Sequence, residues 1–320
     1  MLTVTGDSYR DCDGATRRDV LKIGGLGMAG MTLPDLLRLR AAEAADGAEV
    51  SDTAVILLWC GGGPSHYETF DPKPEAPAEY RGPFASISTS LTGVRFCELF
   101  PKHARMADKV AVIRSCAHKE SGHGSAVKNL NTGYIHPGGT NEGSFLYPTV
   151  GSIVAKCRER RRGDMPHSVH VPVAGVFKGL AGGGVHLGAA YDPFAASPSE
   201  GAGILQPPAE LSLKRLQNRR KLLASLDQLR RDADAQGVTE GMDAFTRQAF
   251  EMVTGKAARK ALDLSLESAQ TREKYVAAPP TNPVKGARLP RFAWGEGCLL
   301  ARRLVEAGVS FVTVGMGSWD

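Results

Sequence analysis

The feature that most constrains this chain is a set of short apolar runs, each closed by small or polar residues. The first run, 53–60, ends abruptly at three glycines and Pro64. A short apolar run closed in this way is typical of a strand buried on both faces. Segments with helical periodicity separate these runs, so the sequence predicts an α/β fold with a mostly parallel sheet flanked by helices. The predicted strands are 53–60, 109–115, 167–173 and 310–314.

Helical spacing of apolar residues is clearest in 147–161, 211–233, 242–266 and about 292–307. Between the third predicted strand and the long surface helix, residues 177–208 are rich in Gly, Pro and Ser, which predicts an irregular segment. We therefore expect one α/β domain over residues 46–320, with a helical insertion at about 205–270.

The N-terminal segment has the features of an export signal. Arg17 and Arg18 precede a glycine-rich apolar stretch and a small-residue region, which predicts a Tat-type signal peptide over residues 1–45. The G-x-G-x-x-G match at 25–30 follows the twin arginines rather than a strand, which argues against a dinucleotide site. We expect the Tat translocase to export the folded protein to the periplasm or beyond. The mature chain is expected to have no membrane span.

Charge and cysteine content exclude several classes of function. The net charge of +5 is mild, and the basic run at 157–163 has no interleaved aromatic residues, so no nucleic-acid partner is expected. None of the six cysteines forms a C-x-x-C pair, which argues against thiolate zinc sites and thioredoxin chemistry. Removal of Cys12 with the signal peptide leaves five cysteines, and an odd number of cysteines argues against a disulfide framework.

Reactive side chains follow the predicted strands. Because the carboxyl ends of parallel strands meet at one edge of a sheet, we expect these side chains to lie close together. Imidazole and carboxylate groups are ligands of zinc, manganese and iron. The sequence therefore predicts a divalent metal ion of one of these kinds, held by His66, His118, His123 and Asp320.

Two further residues are candidates for the chemistry at this edge. The guanidinium of Arg114 has the bidentate geometry that suits an anionic oxygen. The hydroxyl of Ser65 is a candidate nucleophile once a metal lowers its pKa. Ser65 nevertheless departs from the G-x-S-x-G pattern, because Tyr67 stands two positions after it. An isolated histidine is more often a hydrogen-bonded or surface residue than a ligand, and Asp71 before Pro72 is a common turn initiator.

Long motifs along the chain carry a family resemblance. They are the twin-arginine start, LLWCGGGPSHYETFDPKPEAPAEYRGPF, KVAVIRSCAHKESGHGSA, LGAAYDPF, LQNRRKLLASLD and LLARRLVEAGVSFVTVGMGSWD. Together they resemble the exported domain-of-unknown-function family numbered 1501. That resemblance implies an alkaline-phosphatase-like fold, in which phosphatases and sulfatases hold one or two metals at the carboxyl edge of a parallel sheet.

The chain also departs from the pattern that this resemblance implies. Members of the family usually continue past the tryptophan–aspartate pair into a Trp-Asp-x-His run, whereas this chain stops at Asp320. We therefore expect the chain to be incomplete at its carboxyl end. The first strand of alkaline phosphatases commonly ends in a metal-binding aspartate, whereas this one ends in Trp59 and Cys60. Fold-level analogy therefore does not supply the site.

Two classes of function remain open at this point. The first is a metal-dependent phosphate- or sulfate-ester hydrolase of the alkaline-phosphatase/sulfatase type, acting on a small anionic ester. The second is a non-catalytic exported protein that binds an anionic glycan or a surface partner; an inactive truncated fragment is a third reading. The departures at Ser65 and at the end of the first strand favour the binding protein, while the histidines after the strands favour the enzyme.

Overall fold

The computed structural model describes residues 53–117, 122–135, 145–159, 165–172, 182–206, 252–253, 255–275 and 294–316, together with 214–215, 217–219 and 221–222. The predicted signal peptide, residues 1–45, lies outside the described residues, as does much of the predicted insertion at about 205–270. Where that insertion is described, its backbone is mostly helical.

Strands from distant parts of the chain form one parallel sheet. The strands of the described residues are β1 (Val55–Cys60), β2 (Ser86–Ser88), β3 (Arg95–Cys97), β4 (Ser168–Val171), β5 (Phe194–Ala195) and β6 (Phe311–Met316). Four of them form a sheet in the order β1-β6-β4-β5, and each adjacent pair is parallel. The other two, β2 and β3, form an antiparallel pair. The predicted α/β class with a mostly parallel sheet is therefore confirmed.

Helices cover this sheet. The α-helices whose bounds the structure gives are α1 (Pro101–Arg105), α2 (His123–Thr132), α3 (Val150–Cys157), α4 (Lys256–Leu262), α5 (Ala269–Tyr275) and α6 (Trp294–Glu306). None of the helices formed by the described residues combines the length and the apolar character that crossing a membrane requires.

The main core lies between the sheet and α6. Val169 and Val171 of β4 and Val312 and Val314 of β6 are fully buried and belong to one apolar cluster with α4 and α6. Side chains two residues apart on a strand share a face, so these four valines form a single apolar surface. Leu300 of α6 is among the residues packed into this cluster. Full burial of a side chain of this size contributes about 1.5–3 kcal/mol.

The chain divides into two compact units. Thr53 and Val112–Ala117 are the described residues of one unit. The other unit, Ala54–Ala111 and His118–Asp320, holds every helix and strand named above.

The strand predicted at 109–115 is absent from the described structure. Lys109 ends a 3-10 turn, and residues 110–113 have no strand assignment. The side chain of Ile113 is 78% exposed. An apolar run becomes a strand only where a neighbouring strand supplies hydrogen bonds, and this run joins neither sheet of the described residues. The prediction of a second buried strand was therefore wrong.

A buried arginine joins α6 to the end of α4. The guanidinium of Arg303 donates to the backbone oxygens of Lys260 and Ala261, and its Nη1 lies 2.5 Å from Oε1 of Glu267. The carboxylate of Glu267 also pairs with Arg302 at 2.8 Å. Arg303 and then Arg302 hold the pKa of Glu267 below its ordinary value. Arg303 thus satisfies carbonyl groups that the C-terminus of a helix leaves without partners.

Arg303→Met tests this connection. Removing the guanidinium leaves the buried carbonyl of Ala261 and the partly buried carbonyl of Lys260 without their donor, so we expect the free energy of unfolding to fall by about 3 kcal/mol. Arg302→Met is the matched control, since a partly exposed ion pair contributes no more than about 1 kcal/mol. Urea denaturation measures both values. Equal losses in the two variants would contradict the role assigned to Arg303.

Gly151 lets α3 approach the sheet closely. A Cβ atom added at Gly151 would lie 2.6 Å from Oγ of Ser168 and 3.1 Å from the ring of Phe311. The first turn of α3 therefore rests directly on β4 and β6. A methyl group at this position would force the helix away from the strands.

We expect Gly151→Ala to lower the free energy of unfolding by about 1–3 kcal/mol through overpacking. Gly203→Ala serves as the control, because an added Cβ there meets nothing within 4 Å. Thermal denaturation of both variants against the parent chain gives the comparison. If Gly151→Ala is as stable as Gly203→Ala, α3 does not rest on the sheet as described.

Candidate functional site

The carboxyl ends of β1 and β6 lie side by side. The two strands pair in parallel along their whole length, from Val55 opposite Phe311 to Cys60 opposite Met316. Beyond the last pair, the N–H of Gly61 donates to the oxygen of Met316 at 2.5 Å. β1 and β6 therefore end at the same edge of the sheet, where parallel α/β proteins bind their ligands.

The loop after β1 turns sharply and is then fixed to the protein. Gly62 and Gly63 have φ angles of 92° and 69°, a left-handed conformation that glycine adopts without steric cost. The backbone oxygen of His66 then accepts hydrogen bonds from the N–H groups of Thr69 (3.3 Å) and Asp71 (3.0 Å). The oxygen of Thr69 accepts from the N–H of Cys97 at the end of β3, at 2.9 Å. The backbone around His66 is consequently held in one compact turn.

The side chains of this loop are accessible. His66 is exposed, with its ring centroid 3.9 Å from that of Tyr67, and Ser65 is half-buried. The carboxylate of Asp71 pairs with the ammonium of Lys73 at 2.9 Å. The structure therefore favours the turn interpretation of Asp71 over a ligand role, while the imidazole of His66 faces solvent.

His123 lies at the start of a helix. It is the first residue of α2 and is exposed, and Gly122 occupies the N-cap position. Ser125 in the same first turn is buried, and its hydroxyl donates to the oxygen of Gly122 at 3.0 Å.

The remaining predicted residues are not brought together by the described structure. His118 and Asp320 lie outside the described residues. Arg114 is exposed and belongs to the unit that contains Val112–Ala117. Within the described part of the chain, no group of three or more His, Cys, Asp or Glu residues is arranged to hold a metal ion. The four-ligand metal site and the anion-binding role of Arg114 stay predictions.

The cysteines at and near this edge are poor ligands and nucleophiles. Burial raises the pKa of the Cys60 thiol. Burial is also the main cause of the raised pKa of Cys298, and the nearby charge of Cys60 raises it further. A thiol binds metal or attacks an electrophile as the thiolate, so a raised pKa disfavours both roles at neutral pH. The five described cysteines are all free thiols.

One polar surface was missed from the sequence. Ser168 and His170 of β4 point to the face of the sheet opposite the valine core, and both are buried. They line a cavity of about 240 Å³ together with residues of α2, α3, β1 and β6. The alternation of polar and apolar residues within this otherwise apolar strand was the available signal.

Fold and site together define an α/β protein with a mostly parallel sheet and with a polar loop after β1. A family model described as "Protein of unknown function (DUF1501)" matches residues 52–320. The chain belongs to this family, as its motifs indicated. No curated protein and no solved structure matches the chain.

Proposed function

We propose that this protein is an exported, metal-dependent hydrolase of phosphate or sulfate esters, with its active site at the carboxyl edge of β1 and β6. The observation that supports this proposal is the in-register parallel pairing of the two strands, with Cys60 opposite Met316. His66 follows β1 by six residues and Asp320 follows β6 by four. Neighbouring parallel strands are the usual source of ligands for a site at this edge.

The donor set has the chemistry of a divalent-metal site. His66, His118, His123 and Asp320 offer three imidazoles and one carboxylate, a combination typical of zinc, manganese and iron centres. Because the turn after β1 fixes the backbone of His66, its exposed imidazole is available to a metal with little further ordering of the loop. When bound, a divalent ion lowers the pKa of a coordinated water or hydroxyl and neutralises charge on the ester.

Ser65 lies next to His66 in the same turn, so its hydroxyl is the candidate nucleophile. Its oxygen bonds to phosphorus or sulfur, the bond to the alcohol oxygen breaks, and the serine proton is transferred to the departing alcohol. Water then attacks the phosphorus or sulfur of the seryl ester, which releases phosphate or sulfate and returns a proton to Ser65. The twin arginines, Arg17 and Arg18, support the export part of the proposal.

Metal content is the first test of this function. We expect the purified 320-residue chain to hold about one equivalent or more of a divalent transition metal by elemental analysis, and a chelator to lower its melting temperature. His66→Ala removes a proposed ligand and should lower metal affinity by at least about tenfold. His186→Ala is the matched control, since His186 is an exposed histidine outside the proposed site.

Hydrolysis of p-nitrophenyl phosphate and p-nitrophenyl sulfate by the metal-loaded chain provides the second measurement. We expect one of these esters to be cleaved and the cleavage to be lost in His66→Ala but retained in His186→Ala. A chain that binds no metal contradicts the proposal. Metal binding without cleavage of either ester would favour the non-catalytic binding protein instead.

A further inference from the structure

A second site lies on one face of the sheet. Six strand residues form a regular grid there: Val55, Phe311 and Ser168 are aligned in one row, and Leu57, Thr313 and His170 in the next. All six line the cavity of about 240 Å³. The grid covers the amino-terminal half of the strands, so it is separate from the edge at which we propose ester hydrolysis.

His170 is the unusual group in this cavity. Only 6% of the residue is exposed, and its Nε2 atom has no hydrogen-bond partner among the described residues. A buried polar atom without a partner costs about 1–3 kcal/mol, so native proteins retain few of them. Burial also lowers the pKa of His170, which keeps the imidazole neutral near pH 7. The ring lines the cavity, and in the tautomer that carries its proton on Nε2 it has an N–H to donate to a ligand that reaches it.

The N-terminus of α3 supplies a second polar group at the same cavity. Thr149 is the N-cap of this helix. Its side-chain oxygen accepts a hydrogen bond from the N–H of Ser152, and its backbone oxygen accepts one from the N–H of Ile153. The N–H groups of Val150 and Gly151 have no partner within the helix. Thr149, Val150 and Gly151 all line the cavity. The positive end of the helix dipole favours an anion at this position.

The rest of the lining defines the kind of ligand. Val55, Leu57 and Phe311 contribute apolar surface, and none of the described residues that line the cavity carries a charged side chain. A cavity of about 150 Å³ is enough to hold benzene, so 240 Å³ accommodates a ring with one small polar group. The absence of a cationic side chain from the lining disfavours a dianion such as phosphate and suits a single negative charge at the helix terminus.

We propose that this cavity binds a small monocarboxylate with an apolar body. The carboxylate accepts hydrogen bonds from the N–H groups of Val150 and Gly151 and from Nε2 of His170. The apolar body packs on Val55, Leu57 and Phe311. This site is independent of the proposed hydrolase function, because it uses none of the residues assigned to the metal.

Benzoate is the probe, and isothermal titration calorimetry on the full chain measures its binding. We expect saturable binding of benzoate and about tenfold weaker binding of benzyl alcohol, which keeps the ring and lacks the charge. Inorganic phosphate should bind more weakly than benzoate. Absence of saturable benzoate binding, or equal affinity for benzyl alcohol, overturns the proposal.

His170→Phe separates binding from folding. It removes the unpaired nitrogen and keeps an aromatic ring, so the variant should fold with unchanged or higher stability while benzoate affinity falls by about tenfold. His103→Phe makes the same change at an exposed histidine outside the cavity and should bind benzoate as the parent does. Unaltered benzoate affinity in folded His170→Phe contradicts the role of His170.

Val150→Pro tests the helix terminus. Proline is well tolerated at the first position of a helix, and Thr149 already has the extended conformation (φ −72°, ψ 157°) that a following proline requires. The variant deletes one N–H donor and should bind benzoate about tenfold more weakly than Val150→Ala, which loses apolar surface but keeps the donor. Equal affinities of these two variants would show that the helix N–H groups do not hold the carboxylate.

Discussion

The sheet is built on the parallel pairing of β1 with β6. It joins a strand near the start of the described chain to the strand at its end, over a continuous register from Val55–Phe311 to Cys60–Met316. β6 in turn pairs with β4, so β6 is the strand through which the sheet is assembled. Forming such non-local pairs requires closure of a long loop, and burial of the valine core and α6 provides the compensating free energy.

The sheet has two faces with different consequences. One face carries Val169, Val171, Val312 and Val314 and is covered by the helices of the main core. The other face carries Ser168, His170 and Thr313 and leaves a cavity beneath the start of α3. Since side chains alternate along a strand, the same residues that build the core also fix which polar groups face the cavity. The register of β4 against β6 thus determines both the apolar core and the lining of the proposed carboxylate site.

Local pattern predicted a large part of this fold and a smaller part of its sites. The apolar runs at β1, β4 and β6 and the periodicity of α6 are strong local signals, and each element formed. The run at 109–115 has the same pattern but pairs with no strand of the described residues, and no local signal reveals that difference. β5 consists only of Phe194 and Ala195 within a Gly- and Pro-rich segment, and its pairing with β4 is a tertiary effect. The position of His170 on the cavity face likewise depends on the register of β4, and the alternation of polar and apolar residues in that strand was its one local signal.

We propose that the paired carboxyl ends of β1 and β6 form a metal site, and locating a bound metal ion tests this proposal without reference to activity. Anomalous diffraction at the zinc absorption edge, from crystals of the zinc-loaded chain, gives the position of the ion. We expect a peak about 2.0–2.1 Å from a ring nitrogen of His66, with the carboxylate of Asp320 as a further ligand. A peak bound only at other histidines, or no ordered zinc in the crystal, would contradict it.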